Sequence, residues 1–123
     1  MKALIVEDST SYQLLIENLL RQVGVEALCV KTGHEALNRL AKETFDLIIL
    51  DLYIEDMTGL ELCSKLRENE VTRLVPVVLL TSEKNDLILS KGYDAGVTEI
   101  LKKGDFEKVG GSLQGVVDGM RRA

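Results

Sequence analysis

Four short apolar runs in this chain each lead into residues that can do chemistry. Residues 3–6 run into Glu7-Asp8, residues 47–50 into Asp51, residues 77–80 into Thr81-Ser82, and a weaker run, residues 97–101, into Lys102-Lys103. Three carboxylates brought close together repel one another, and either protonation or a cation must offset that. A lysine alone cannot balance three acids. Oxygen ligands at a partly hydrated site suit Mg²⁺, which keeps several waters and favours one or two carboxylates plus a phosphate. Loops are polar in general, so any single acid here carries little weight. The conjunction at four run ends carries the argument.

The elements that must position these groups follow from the pattern between them. The runs, with a further one at residues 27–30, are mostly continuous rather than alternating, as in parallel strands buried on both faces. Tyr12, Leu15, Ile16, Leu19, Leu20 and Val23 share one helical face, and Gly24 is a natural stop. Ala36, Leu37, Leu40 and Ala41 mark a second helix. Thr58 with Glu61 reads as a capping box opening a third, with Leu62, Cys63 and Leu66 inward. A fourth spans about residues 85–91, and a fifth carries Phe106, Val109, Leu113, Val116, Val117 and Met120. Five strands alternating with five helices predict an α/β, doubly wound parallel sheet, in which ligands bind beyond the carboxyl ends of the strands. Pro76 precedes a strand, where a missing N–H does little harm.

A length of 123 residues is expected to form one domain, residues 1–123, with no second domain. A net charge of −5 argues against a nucleic-acid surface, and the basic pairs Lys102-Lys103 and Arg121-Arg122 make no stripe. Cys29 and Cys63 lie far apart and read as free thiols, most simply as small buried hydrophobes. No run approaches the ~20 apolar residues of a membrane span, and no secretory signal is visible. The expected compartment is the cytoplasm.

The stretches LIVEDS, DLIILDLYIEDMTGLEL, VPVVLLTS and AGVTEILKKGD, in this order and spacing, resemble the receiver domains of bacterial two-component response regulators. The likeness runs along essentially the whole chain, and it implies a flavodoxin-like sheet in the order 2-1-3-4-5. Gly59 lies eight residues after Asp51, and Lys103 rather than Lys102 falls on the family lysine. The resemblance implies that Asp51 takes a phosphoryl group from a sensor histidine kinase or a histidine phosphotransfer protein. Glu7, Asp8, Asp51 and the Tyr53 backbone carbonyl would hold Mg²⁺, while Lys103 offsets phosphoryl charge. Thr81 would turn toward the phosphoryl group and signal through the face made by the fourth helix, fifth strand and fifth helix. That face would meet an output partner or a second copy, and kinase specificity would lie around residues 11–17. Such a domain assists its own phosphotransfer and is not otherwise an enzyme.

Several residues depart from the family pattern. Glu7 replaces the commoner Asp. Ile100 stands where many receivers have Tyr or Phe, which puts the usual hydroxyl–aromatic switch in doubt. Gly104 stands in place of proline, so a trans peptide after Lys103 is expected, because a non-proline cis bond costs ~3 kcal/mol. Glu55 replaces a frequent proline and is expected to loosen its loop. Tyr53, Ser82 and Glu83 are tuning positions, and the Tyr53 ring is expected to shield the phosphoryl group or to be a plain surface ring. Gly111, Gly115 and Gly119 line the outward face of the fifth helix and mark either a partner contact or a weak helix. Two rivals stay open: a flavodoxin-like cofactor protein, disfavoured by acids in the phosphate-binding turn, and a receiver-shaped interaction module that is never phosphorylated. His34-Glu35 without an ATP-binding glycine-rich motif is no kinase signature. A stand-alone receiver and one excised from a longer regulator read alike.

Overall fold

The computed structural model describes residues 1–104 and 106–122. Five strands, β1 (Lys2–Val6), β2 (Glu26–Val30), β3 (Leu47–Leu50), β4 (Val77–Thr81) and β5 (Glu99–Lys102), pair in parallel in the order β2-β1-β3-β4-β5. The helices α1 (Thr10–Gln22), α2 (Gly33–Leu40), α3 (Gly59–Glu68), α4 (Asp86–Asp94) and α5 (Phe106–Arg122) alternate with them. The expected doubly wound α/β architecture is therefore present.

The continuous apolar runs are explained by two cores. Alternate strand residues face opposite ways. Leu4, Val6, Ile48, Leu50 and Leu79 pack with Leu62, Cys63 and Leu66 of α3. Ala3, Ile5, Ile49, Val78 and Leu80 pack with Ile16 and Leu20 of α1 and with Val109, Leu113 and Val117 of α5. The side chain of Phe106, expected on the inner face of α5, lies outside the described residues.

Local chemistry starts the helices where the sequence suggests. Ser9, Thr32, Thr58 and Asn85 each accept backbone N–H bonds at a helix start, and Thr58 Oγ1 accepts from Glu61 N at 3.1 Å. Some boundaries differ from expectation: α4, expected to end at about residue 91, runs to Asp94. The strand expected at residues 97–101 begins only at Glu99, after Gly96 turns the chain with φ +101°; Thr98 donates its N–H to Val77 O at 2.8 Å, and its Oγ1 accepts the Val77 N–H at 3.0 Å. Ala41, read as part of the second helix, is its exposed C-cap, because α2 stops at Leu40.

Gly111, Gly115 and Gly119 face outward, and a Cβ at any of them would meet nothing. Both cysteines are free, Cys63 buried and Cys29 half-buried, and burial first and the Glu17 carboxylate second push the Cys29 thiol up to about 11. Among the described residues, no helix is long and apolar enough to cross a membrane.

Candidate functional site

The sheet's hydrogen bonding continues one residue past the strands and so fixes the groups at their ends. Glu7 N donates to Val30 O at 3.0 Å, Asp51 N to Val6 O at 3.2 Å, and Lys103 N to Thr81 O at 2.8 Å. Gly59 allows the chain after β3 to fold back closely: its N–H meets Leu52 O at 2.6 Å, and a Cβ there would lie 2.3 Å from the Asp51 carbonyl oxygen. That contact gives a steric reason for a glycine eight residues beyond Asp51.

The carboxylates of Glu7, Asp8 and Asp51 converge, each offering an oxygen within 4.8 Å of the others. Lys103 Nζ bridges two of them, donating to Glu7 Oε1 at 2.6 Å and to Asp51 Oδ2 at 2.9 Å. Lys102, on the adjoining position, is exposed. The Lys103 side chain is 10% exposed, that of Glu7 2%, and that of Asp51 11%, so these charges face one another with little water between them. Asp8 is exposed.

This crowding shows in the protonation chemistry. Burial first, and the Asp51 charge beside it, push the Glu7 carboxyl up to about 7 despite the lysine. For Lys103, burial alone would lower the ammonium's pKa, but the hydrogen bonds and charges of Glu7 and Asp51 outweigh it and raise it. Among the described residues, Glu7 Oε2 and Asp51 Oδ1 are buried without a hydrogen-bond partner. Two buried carboxylate oxygens without a partner, on two of three clustered acids, fit a hard divalent cation, which would satisfy both.

Around this centre stand the other predicted residues. Thr81 is fully buried, and its hydroxyl accepts the Glu83 N–H at 3.1 Å. The Tyr53 hydroxyl donates to Glu83 Oε2 at 2.5 Å, and Glu83 Oε1 accepts from Lys84 N and Asn85 N. That hydrogen bond to Glu83 raises the phenol's pKa and lowers the carboxyl's. The loop after β3 is thus tied to the loop after β4. Ser82 is exposed, and half-buried Ile100 packs its δ-methyl beside Gly92 of α4. No peptide among the described residues is cis, that after Lys103 included, and Gly104 sits at φ +114°, which proline's ring cannot reach.

Three features escaped the sequence reading. Glu55 does not leave its loop loose: the neighbouring Asp56 accepts Gly33 N at 2.8 Å and His34 N at 3.0 Å and pairs with the His34 ring, pinning the loop to the start of α2. Those backbone bonds, that to Gly33 first, hold the Asp56 carboxyl down at about 2. Arg67 gathers carbonyl oxygens from two loops. Tyr12, read as a residue of the apolar face of α1, lies under the Lys103 ammonium. None leaves a signal in periodicity, because each depends on how loops and helix ends settle on one another rather than on a helical or strand repeat.

Residues 3–109 match the model of the response regulator receiver domain, and the chain belongs to that family. It is 34% identical over 103 residues to the uncharacterized transcriptional regulatory protein YclJ of Bacillus subtilis, covering 84% of this chain and 44% of that protein. The chain therefore spans less than half the length of this relative. Its fold is similar to the receiver domain of a signal transduction histidine kinase from Syntrophus aciditrophicus, with TM-score 0.86, 27% identity, and coverage of 99% of this chain and 93% of that one. It is also similar to the receiver domain of sensor histidine kinase PA1611 from Pseudomonas aeruginosa PAO1, with TM-score 0.80, 26% identity, and coverage of 92% and 93%. That structure has a magnesium ion coordinated in its active-site cleft.

Proposed function

We propose that Asp51 is the phosphoacceptor of this receiver domain and takes its phosphoryl group from a phosphohistidine of a sensor kinase or phosphotransfer protein. The observation that supports this most directly is Lys103 bridging Asp51 and Glu7 while one oxygen of each acid stays unpartnered. Glu7, Asp8, Asp51 and the Tyr53 carbonyl are the residues that would hold Mg²⁺, and the ion would neutralise charge on the phosphoryl oxygens.

The chain's own residues do the rest. An Asp51 oxygen attacks phosphorus, and the bond from phosphorus to the donor nitrogen breaks. Lys103 already touches Asp51, so its ammonium is in place to meet a phosphoryl oxygen arriving there. Thr81 would exchange its bond from the Glu83 N–H for one to the phosphoryl group, and that change would pass to the α4-β5-α5 face through Ile100 and Gly92. An output partner or a second copy would read it there. The magnesium-bound cleft of the PA1611 receiver domain supports the metal part of this reading. Incubation with acetyl phosphate, with and without Mg²⁺, followed by intact mass, tests it. One added phosphoryl group on Asp51 only when Mg²⁺ is present is the expected result, and none under either condition rejects it.

Proton and metal compete for Glu7, whose pKa of about 7 exceeds the ordinary 4.5. The sign follows: a proton bound below about pH 7 must leave before the ion can enter, so apparent Mg²⁺ affinity falls with pH, by up to about tenfold per unit. Calorimetric titrations between pH 8 and 5.5 should show that slope together with proton release. A flat profile would remove Glu7 from the ligand set.

The Tyr53–Glu83 hydrogen bond places a phenol ring and a carboxylate as a strap beside Asp51 and Thr81. We assign the strap the role of slowing water's attack on the phosphoryl group. Tyr53→Asn should shorten the lifetime of phosphorylated protein several-fold, measured as phosphate release after donor removal, whereas an unchanged lifetime would leave Tyr53 a plain surface ring.

A further inference from the structure

We infer that Tyr12 is a positioning residue for Lys103: its ring face holds the ammonium over Asp51 at rest and lets it slide to an incoming phosphoryl group. The inference rests on the phosphoacceptor reading of Asp51 and adds a residue to it. Lys103 Nζ lies 4.1 Å from the centre of the Tyr12 ring, within cation–π range. Glu7 and Asp51 take two of its hydrogen bonds, and the ring covers a further side. The lysine side chain is only 10% exposed, so the contact operates with little water to weaken it.

The local sequence sets the ring there. Glu7 and Asp8 end the first strand's run, Ser9 caps α1 by accepting Tyr12 N at 3.4 Å, and Tyr12 falls in the first turn above the site. The buried residues of α1 are Ile16 and Leu20, whereas Tyr12 is half-buried at the rim.

The type of residue also fits the task. During phosphotransfer the ammonium must shift from an Asp51 oxygen toward a phosphoryl oxygen. A third hydrogen-bond acceptor would tether it in one direction and would have to be broken. A third carboxylate contact would add to an already crowded acidic nest. A ring face attracts the ammonium over a broad area, so a shift of about an ångström changes the attraction little. An aliphatic side chain would fill the space without attracting the charge.

The test replaces Tyr12 with phenylalanine, with phenylalanines carrying one, two and three ring fluorines, and with leucine. Fluorines drain the ring's negative face while its shape stays nearly constant. Rates of phosphorylation by acetyl phosphate at saturating Mg²⁺ should fall stepwise along the fluorinated series. Tyr12→Phe should stay close to wild type, and Tyr12→Leu should lose roughly 3- to 10-fold. Mg²⁺ affinity is titrated for each variant, so that a rate lost at saturating Mg²⁺ is read apart from any change in ion binding. Resting protein gives a second readout, the ring-current shift of the Lys103 side-chain resonance, which should vanish in Tyr12→Leu. Equal rates across the fluorinated series overturn the inference even if Tyr12→Leu folds poorly. Wild-type protein that accepts no phosphoryl group overturns the reading of Asp51 instead, and the resonance then decides the ring contact on its own.

Discussion

Arg67→Ala is expected to lower the stability of this domain by about 3 kcal/mol. The guanidinium of Arg67 lies at the end of α3: Nε donates to Gly96 O at 2.9 Å, and the two N–H groups of Nη1 are shared among Val75 O at 2.7 Å, Thr72 O at 3.1 Å and Arg73 O at 3.1 Å. These belong to the α3–β4 loop and to the turn between α4 and β5, so one cation fixes two crossings of the sheet. Truncation leaves partly buried carbonyls that water reaches poorly, and each such loss costs about 1 kcal/mol or more. Arg67→Lys should recover little, because a single ammonium cannot span a fork that the planar guanidinium fits. Urea unfolding followed by circular dichroism should show the midpoint moving with an unchanged slope. A loss below about 1 kcal/mol would mean the loops hold themselves.

The consequence reaches the functional site through the sheet. The loops that Arg67 ties feed β4 and β5, whose far ends carry Thr81 and Lys103. Both strands also depend on Thr98, whose hydroxyl accepts the Val77 N–H at 3.0 Å. Slack at this edge would therefore spread to the carboxyl end, where Lys103 N must meet Thr81 O.

What could be read from the sequence, and what could not, divides along the range of the interactions. Residues 47–50 and 77–80 are legible as strands because burial on both faces demands unbroken apolar runs, and both lie within the observed β3 and β4. Thr58 is legible as a cap because its partner is three residues away. Residues 7, 8, 51, 81 and 103 converge because a parallel sheet brings all strand ends to one edge, so topology alone gathers them. Asp56, Arg67 and Tyr12 follow no such rule. Asp56 meets the start of α2, Arg67 meets Gly96, and Tyr12 meets Lys103, and each depends on how loops and helices settle on the sheet. Glu55 shows the hazard of judging a loop by one residue: the missing proline is offset by the anchor beside it. Ile100 is half-buried beside Gly92, so an aliphatic side chain occupies the position where the family switch ring was expected.

Asp51→Asn should abolish phosphoryl uptake and at the same time make the metal-free protein more stable, by roughly 1 kcal/mol. The loss of uptake follows from the proposed chemistry, since an amide oxygen is a far weaker nucleophile than a carboxylate. The gain follows from charge. Three carboxylates face one ammonium, two buried oxygens lack partners, and Glu7 is driven up to about 7 first by burial and further by Asp51. Neutralising Asp51 removes one acid from the crowd, supplies N–H donors, and leaves Lys103 paired with Glu7 at 2.6 Å. The Glu7 carboxyl should then titrate lower than in wild type, which carbon-detected NMR can follow. Magnesium should reverse the order of stability. An ion that binds the folded state stabilises it by RT ln(1 + [L]/Kd), about 2.7 kcal/mol at a hundredfold excess over Kd, and the variant forfeits most of that. Urea unfolding of both proteins in chelator and in excess Mg²⁺ gives four numbers and one crossing. If Asp51→Asn were the less stable protein in chelator, the Asp51–Lys103 pair would outweigh the repulsion among the acids. The site would then be a structural ion cluster rather than a nest strained to receive a cation and a phosphoryl group.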